Sequence, residues 1–110
     1  IMHPLEEDET PQETMDYLGD RVAHIHIKDG TTDPDPEAIS YVYGPIGEGE
    51  MPIKEIVTVL KKAGYDGYYS LEWEEKWRDS LAKAALPHDA VLENYAKIMK
   101  EIDEQTKGVC

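Results

Sequence analysis

The chain has 110 residues, of which 24 are acidic and 11 basic, giving a net charge of −13 with 40% hydrophobic residues. This length and composition predict one globular domain. No apolar run approaches the ~20 residues that cross a bilayer, and the first ten residues lack a basic head and an apolar core, so neither a membrane span nor a signal peptide is expected.

The charge and the cysteine content exclude further classes of protein. The acidic excess is spread along the chain, whereas a duplex-binding protein needs a basic stripe, so no nucleic-acid partner is expected. Cys110 is the only cysteine, which excludes an internal disulfide framework and a cysteine-based zinc cluster. These features favour a reducing, cytoplasmic location.

A helix over residues 11–18 is the first predicted element. Thr10 is suited to cap its N-terminus, Pro11 suits the first helical position, and Gly19 is a typical C-terminal stop. The β-rich run RVAHIHIK then predicts a strand over residues 21–28.

The next segment, residues 29–50, is polar and rich in proline and glycine. At this length it far exceeds the usual ~4 to 6 residue connection, and loops of that length are typically functional or disordered. We predict a long loop here. Gly47 and Gly49 could suggest a phosphate-binding loop, but no Lys-Ser/Thr pair follows them, so they are predicted to form turns.

The second half of the chain contains the clearest helix. In residues 52–64, PIKEIVTVLKKAG, apolar side chains recur at i, i+3, i+4 and i+7, and a glycine ends the pattern. A short tyrosine-rich strand is predicted over residues 67–72, and a final helix over residues 88–103. A turn or helix is predicted between them, over residues 76–84.

The order helix, strand, helix, strand, helix predicts parallel strands joined by right-handed crossovers. All-parallel sheets are buried on both faces, so two strands alone cannot form a covered sheet. We therefore expect residues 1–110 to be a single partial domain, completed by further chain or by association into a homo-oligomer. The start of the chain at Ile1, in the motif-like IMHPL, also suggests a fragment.

Alternation along the two strands places the polar side chains together. In the first strand one face carries His24, His26 and Lys28, and in the second strand one face carries Tyr68, Ser70 and Glu72. If the strands are parallel neighbours, their carboxyl ends share one edge, where α/β proteins place their sites. His26 and Glu72 should then lie near each other.

An imidazole and a carboxylate at such an edge can bind a divalent metal such as Mn, Mg, Co or Zn. Two ligands are too few for a complete site. The pattern alone favours a different interpretation over a metal site, in which the histidines are only hydrogen-bonded in the interior and the strand-end Glu72 pairs with a lysine or arginine.

The motifs HIHIKDG, PIGEGEMPIKEIVTVLKKAGYDG and YYSLEWE, in this order, resemble the C-terminal part of the sugar phosphate isomerase/epimerase family. These proteins are xylose isomerase-like TIM barrels, and the resemblance covers residues 3–74. It implies an α/β chain that forms the last two βα units of a (β/α)8 barrel, preceded by a short helix. A complete barrel takes ~250 residues.

The resemblance also implies roles for individual residues. In this family the second histidine of H-x-H-x-K-D binds a catalytic divalent metal, which corresponds to His26. The glutamate ending the GYDGYYSLE strand, Glu72, would be a second ligand and a proton-transfer residue. His3 would contact substrate, and the family's other two ligands, an aspartate and a glutamate, would lie before Ile1.

Two more residues are candidates for substrate binding. Lys28 could contact a sugar hydroxyl, a carboxylate or a phosphate, or it could form an ion pair with Asp29 or Glu72. Trp73 could stack on a sugar, or it could bury aromatic area against the last helix.

The implied function is isomerisation or epimerisation of a sugar or sugar phosphate in carbohydrate metabolism, by proton transfer next to a carbonyl. Because half of the ligands are missing, this chain alone is expected to be inactive. The alternatives are an inosose-type dehydratase of the same superfamily and a non-catalytic barrel fragment that self-associates through its strand edges.

Overall fold

The computed structural model describes residue 4 and residues 8–35, 41–75, 81–82 and 86–108. The elements, in chain order, are α1 (Pro11–Leu18), a 3-10 turn (Gly19–Arg21), β1 (Ile25–Ile27), β2 (Asp29–Thr32), β3 (Tyr41–Gly44), α2 (Ile53–Lys62), β4 (Tyr69–Leu71) and α3 (His88–Gln105).

The local signals around α1 act as predicted. The Thr10 Oγ1 atom accepts a hydrogen bond of 3.1 Å from the Glu13 backbone N–H, which satisfies one of the unpaired donors at the helix start. Pro11 occupies the first helical position. Gly19 has φ +56°, a left-handed conformation that ends the helix at little cost for a residue without Cβ.

Strands β1 and β4 are parallel and adjacent, as predicted, with Ile25 opposite Tyr69 and Ile27 opposite Leu71. Both strands are shorter than the predicted residues 21–28 and 67–72. At the start of the predicted first strand, Arg21 still belongs to the 3-10 turn after α1. Beyond Ile27 the backbone leaves β4 and pairs with a different strand.

That different pairing corrects the prediction of a long loop over residues 29–50. β2 pairs antiparallel with β3, with Asp29 opposite Gly44 and Thr32 opposite Tyr41. β2 has the sequence DGTT, and its first two residues, Asp29 and Gly30, have little intrinsic strand preference. The strand forms because YVYG, which begins nine residues after Thr32, supplies a partner with high strand preference.

The helices cover the apolar face of the β1–β4 sheet. Ile27 is fully buried in a core cluster with α2 and α3. The other buried members of this cluster are Tyr43, Ile46, Met51, Ile53, Val57, Leu81 and Ile102. A second cluster joins α1 to α2, with Met15 packed against Ile56, Val59 and Leu60.

The helix predicted over residues 88–103 is present and extends to Gln105. Most of the segment predicted as a turn or helix, residues 76–84, lies outside the described residues. In the part of the chain that the structure describes, no helix is both long and apolar enough to span a membrane.

Candidate active site at the carboxyl ends of the parallel strands

The polar face of the β1–β4 sheet carries a row of paired side chains. His24 is exposed, and its Nε2 lies 2.8 Å from Ser70 Oγ. The rings of His24 and His26 meet edge to face, with centroids 5.3 Å apart. His24 is therefore hydrogen-bonded, as one of the alternatives predicted, but it is exposed and does not lie in the interior as that alternative expected.

The expected proximity of His26 and Glu72 is observed. His26 Nδ1 lies 3.7 Å from Glu72 Oε2, and the two side chains are 59% and 28% exposed. The Glu72 backbone N–H donates a 2.9 Å hydrogen bond to the Ile27 carbonyl, which continues the ladder beyond β4. The backbone pairing therefore fixes Glu72 beside the end of β1.

Lys28 completes this group. Its side chain is only 6% exposed, and Nζ donates to Glu72 Oε1 at 2.9 Å and to Glu74 Oε1 at 3.0 Å. Nζ also lies 4.4 Å from the centroid of the Tyr43 ring, which places the ammonium over an aromatic face. The predicted ion pair with Glu72 is present, and Glu74 shares it.

The surroundings of Lys28 stabilise its charged form. Burial by itself would lower the pKa of the ammonium, because desolvation disfavours a charge. Hydrogen bonds to Glu72 and Glu74 outweigh that desolvation, and the pKa of Lys28 lies above its ordinary value.

Asp29 organises the loop beside the site. The ion pair between Lys28 and Asp29 that the sequence left open is not among the described ion pairs of Lys28, which are with Glu72 and Glu74. Its Oδ1 accepts backbone N–H groups from Gly30 and Met51, at 2.8 and 3.1 Å. Its Oδ2 accepts those of Gly47 and Gly49, at 2.9 and 3.1 Å. Gly47 and Gly49 thus lie in a turn, as predicted, and this turn surrounds the carboxylate of Asp29, a residue that is 2% exposed.

The remaining candidates lie at the margin of the described group. Trp73 is partly buried and packs against the core that contains α3, and its Nε1 donates to Glu75 Oε2 at 3.4 Å. Packing is therefore at least part of its role. His3 lies outside the described residues.

Sequence reasoning missed Glu74 and Tyr43. Period-two alternation after Ser70 and Glu72 would have placed Glu74 on the same face, had the pattern been continued beyond the predicted strand end. No local signal places Tyr43 beside Lys28, since that contact depends on the pairing of β3 with β2.

His26 and Glu72 are suited to hold a divalent cation. Two ligands at about 2.1 Å from an ion and at a tetrahedral angle lie about 3.4 Å apart, close to the observed separation of 3.7 Å. Imidazole nitrogen and carboxylate oxygen are ligands for Mn, Co and Zn. Within the described residues no group of three or more His, Cys, Asp or Glu side chains converges on one point.

Comparison with known proteins adds independent evidence. The chain is 33% identical over 72 residues to the fructoselysine 3-epimerases of Escherichia coli O157:H7 and of Shigella flexneri. The aligned region is 66% of this chain and 24% of each relative, so the match spans about a quarter of their length. No solved structure matches significantly.

A family model described as "Xylose isomerase-like TIM barrel" matches residues 1–104. This match covers nearly the whole chain and includes both parallel strands with the residues at their carboxyl ends. It confirms the resemblance found in the motifs. The chain belongs to the xylose isomerase-like TIM barrel family.

Proposed function

We propose that the protein carrying this sequence is a divalent-metal-dependent sugar epimerase or isomerase that transfers a proton at a carbon next to a carbonyl. The observation that carries this proposal is the convergence of His26 and Glu72, 3.7 Å apart, at the carboxyl ends of neighbouring parallel strands. That edge is where barrel enzymes place their catalytic groups. The similarity to two sugar epimerases supports the same reaction class.

In this proposal His26 and Glu72 would hold the cation, which would be Mn, Mg, Co or Zn. When bound, such a cation would polarise the carbonyl oxygen and a neighbouring hydroxyl oxygen of the sugar. The remaining ligands are proposed to lie outside this sequence, as the family resemblance implies. This chain would therefore supply half of a metal site and would be inactive alone.

Glu72 would also act as a proton-transfer group. Its carboxylate is partly exposed, so a substrate carbon can approach it, and its charge is compensated by the ammonium of Lys28. The carboxylate would take the proton from the carbon next to the carbonyl, leaving an enolate. Return of a proton to the opposite face of that carbon would invert its configuration, and this step needs a second acid.

The substrate is proposed to be a sugar or sugar phosphate. The names of the relatives indicate inversion at C3 of fructoselysine, a carbon next to a ketone. Trp73 and His3 are proposed to contact the sugar. Lys28 already donates to two carboxylates, which favours the ion-pair role over direct contact with a substrate phosphate.

The remaining strands are proposed to come from an N-terminal part of the barrel or from a second copy of the chain. A cytoplasmic location is proposed as well. It rests on the single cysteine, Cys110, because a disulfide-rich framework would be expected of a small secreted protein.

Fructoselysine provides a direct test. We would replace the matching segment of the E. coli epimerase with this chain and measure deuterium incorporation at C3 in D2O with added MnCl2. Exchange is expected with the native sequence, and Glu72→Gln should reduce it by about 10²- to 10⁴-fold, because the proton-transfer group is lost. Glu104→Gln, which changes an exposed carboxylate paired with Lys107, should exchange at the native rate. Undiminished exchange in the Glu72→Gln protein would exclude Glu72 from the mechanism.

A further inference from the structure

The two carboxylate oxygens of Glu72 have different neighbours. Oε1 accepts a hydrogen bond from Lys28 at 2.9 Å, and Oε2 faces His26 Nδ1 at 3.7 Å. A carboxylate on a three-bond side chain rotates freely unless something distinguishes its oxygens. The Lys28 ammonium makes that distinction, because it holds one oxygen and leaves the other directed at the imidazole.

Lys28 in turn needs restraint. An ammonium has three donors on a flexible four-carbon stem and could move to bridge both oxygens of Glu72. Glu74 prevents this by accepting a second hydrogen bond from Nζ at 3.0 Å, while the Tyr43 ring lies 4.4 Å from the same atom. With its side chain 6% exposed, Lys28 is held between these three groups.

We propose that Glu74 is a positioning residue, which acts through Lys28 to keep Glu72 Oε2 directed at His26 and available to a divalent cation. The inference rests on the proposed function for the identity of the cation and goes beyond it in naming Glu74 and Lys28 as the groups that orient the ligand. Groups that hydrogen-bond to metal ligands commonly fix ligand orientation in this way.

The effect of removing Lys28 on cation binding distinguishes this proposal from a purely electrostatic explanation. Lys28 carries a positive charge beside the pair that would hold a cation, so its removal should strengthen cation binding if charge alone matters. If Lys28 positions Glu72, its removal should weaken binding, because the carboxylate loses its orientation. Lys28→Met therefore separates the two explanations by the sign of the change.

The experiment uses the E. coli epimerase in which this chain replaces the matching segment, because residues 1–110 alone supply only half of the proposed metal site, and Mn²⁺ is the probe. The variants are Glu74→Gln, Lys28→Met, the double variant, and Glu75→Gln as a control that removes one charge from the neighbouring position. Glu75 pairs with His88 and not with Lys28.

Two readouts are taken. The first is the nuclear Overhauser effect between the His26 ring and the Glu72 methylenes without metal, and the second is Mn²⁺-induced broadening of the His26 and Glu72 amide signals. The urea midpoint of each variant reports folding.

We expect Glu74→Gln and Lys28→Met each to weaken the contact between the His26 ring and the Glu72 side chain, and to raise the Mn²⁺ concentration for half-broadening by about 10-fold. In the Lys28→Met background, Glu74→Gln should have no further effect, since its action passes through Lys28. Glu75→Gln should change neither readout. Glu74→Gln should remain folded without urea, although its urea midpoint should fall, because the buried Lys28 ammonium loses one charged partner.

Tighter Mn²⁺ binding in Lys28→Met, additive effects in the double variant, or an unchanged His26–Glu72 contact in Glu74→Gln would each overturn the proposal. Failure of the proposed function would look different. In that case Mn²⁺ would not broaden His26 or Glu72 in the epimerase that carries the native sequence, whereas the metal-free contact would still depend on Glu74.

Discussion

The imidazole of His26 lies beside the carboxylate of Glu72, although the strand ladder places His26 opposite Ser70. The same diagonal offset joins His24 to Ser70 and Lys28 to Glu74. Side chains on a strand lean along the strand direction. Each polar residue of the first strand therefore contacts the residue two positions beyond its backbone partner, on the same face of the sheet. Three successive pairs result on one face of two short strands.

The buried carboxylate of Asp29 should be essential for the loop beside the site. Asp29→Asn replaces one acceptor oxygen with an NH2 group, which would face two backbone N–H donors. We expect the free energy of unfolding to fall by about 2 to 4 kcal/mol, since buried donors lose charge-assisted bonds. Urea denaturation followed by circular dichroism measures the change.

Asp33→Asn is the matched control for this substitution. The Asp33 residue is partly exposed, and its carboxylate accepts one described hydrogen bond, from the Asp35 N–H at 2.9 Å. Its replacement should change stability by less than about 0.5 kcal/mol. Equal effects at the two positions would show that Asp29 does not organise the loop.

Gly49 is predicted to tolerate no side chain. A Cβ there would lie 2.1 Å from Asp29 Oδ1 and 2.5 Å from the Gly30 backbone, distances that real Cβ atoms do not adopt. Gly49→Ala should therefore lower the free energy of unfolding by about 3 kcal/mol or more. At Gly44 a Cβ would meet nothing within 4 Å, so Gly44→Ala should be close to neutral. A stable Gly49→Ala chain with an intact β2–β3 hairpin, measured by amide exchange, would contradict the described packing.

The hydroxyl group of Tyr69 is buried and meets no hydrogen-bond partner among the described residues. Tyr69→Phe removes this unsatisfied group and should raise the free energy of unfolding by about 1 kcal/mol at neutral pH. Tyr95→Phe should have the opposite effect, because the Tyr95 hydroxyl donates to the Tyr69 backbone carbonyl. Loss of stability in Tyr69→Phe would indicate a partner that the described residues do not include.

Tyr69 should also influence stability at high pH. Burial, the largest cause, raises the pKa of its hydroxyl to about 12 from an ordinary value of 10.0. Below the pKa of Tyr69 in the unfolded chain, the hydroxyl is protonated in both states, so this group does not make the free energy of unfolding depend on pH. Between about pH 10 and about pH 12 only the unfolded chain loses the proton, so stability falls as the pH rises through this window. Tyr69→Phe should flatten that decline, as alkaline urea titrations would detect.

Lys61 and Asp103 connect α2 to α3, with Nζ donating to Asp103 Oδ1 at 2.8 Å and to Thr106 Oγ1 at 2.9 Å. The hydrogen bond and charge of Lys61 hold the pKa of Asp103 below its ordinary value of 3.8. The resulting stabilisation is present above the unfolded pKa and is lost as the pH falls through the lower native pKa.

Asp103→Asn should therefore be slightly less stable than the native chain at pH 7 and equally stable once the pH falls below the native pKa of Asp103. The difference should also shrink at high salt, because the Asp103 carboxylate is exposed. In a Lys61→Met background the same substitution should have almost no effect. A difference between the native and Asp103→Asn chains that does not change with pH would show that Lys61 is not the cause.

Local sequence was sufficient for the elements whose causes are local. Thr10 and Gly19 define the ends of the first helix, and the apolar spacing of residues 52–64 defines the second, because capping and period 3.6 act within one or two turns. Period-two alternation placed His26 and Glu72 on the polar face of their strands. Their meeting followed once the strands were taken as parallel neighbours.

Tertiary structure decided what depends on long-range pairing. DGTT becomes a strand only because β3 pairs with it, and this pairing places Tyr43 beside Lys28. The choice of Lys28 between Asp29 and Glu72 was equally open in the sequence, since both are acidic and near in the expected fold. The loop decided it in part, because its backbone N–H groups donate to both oxygens of Asp29. Glu74 also contributed, since it comes within reach of Lys28 only where the two parallel segments lie side by side.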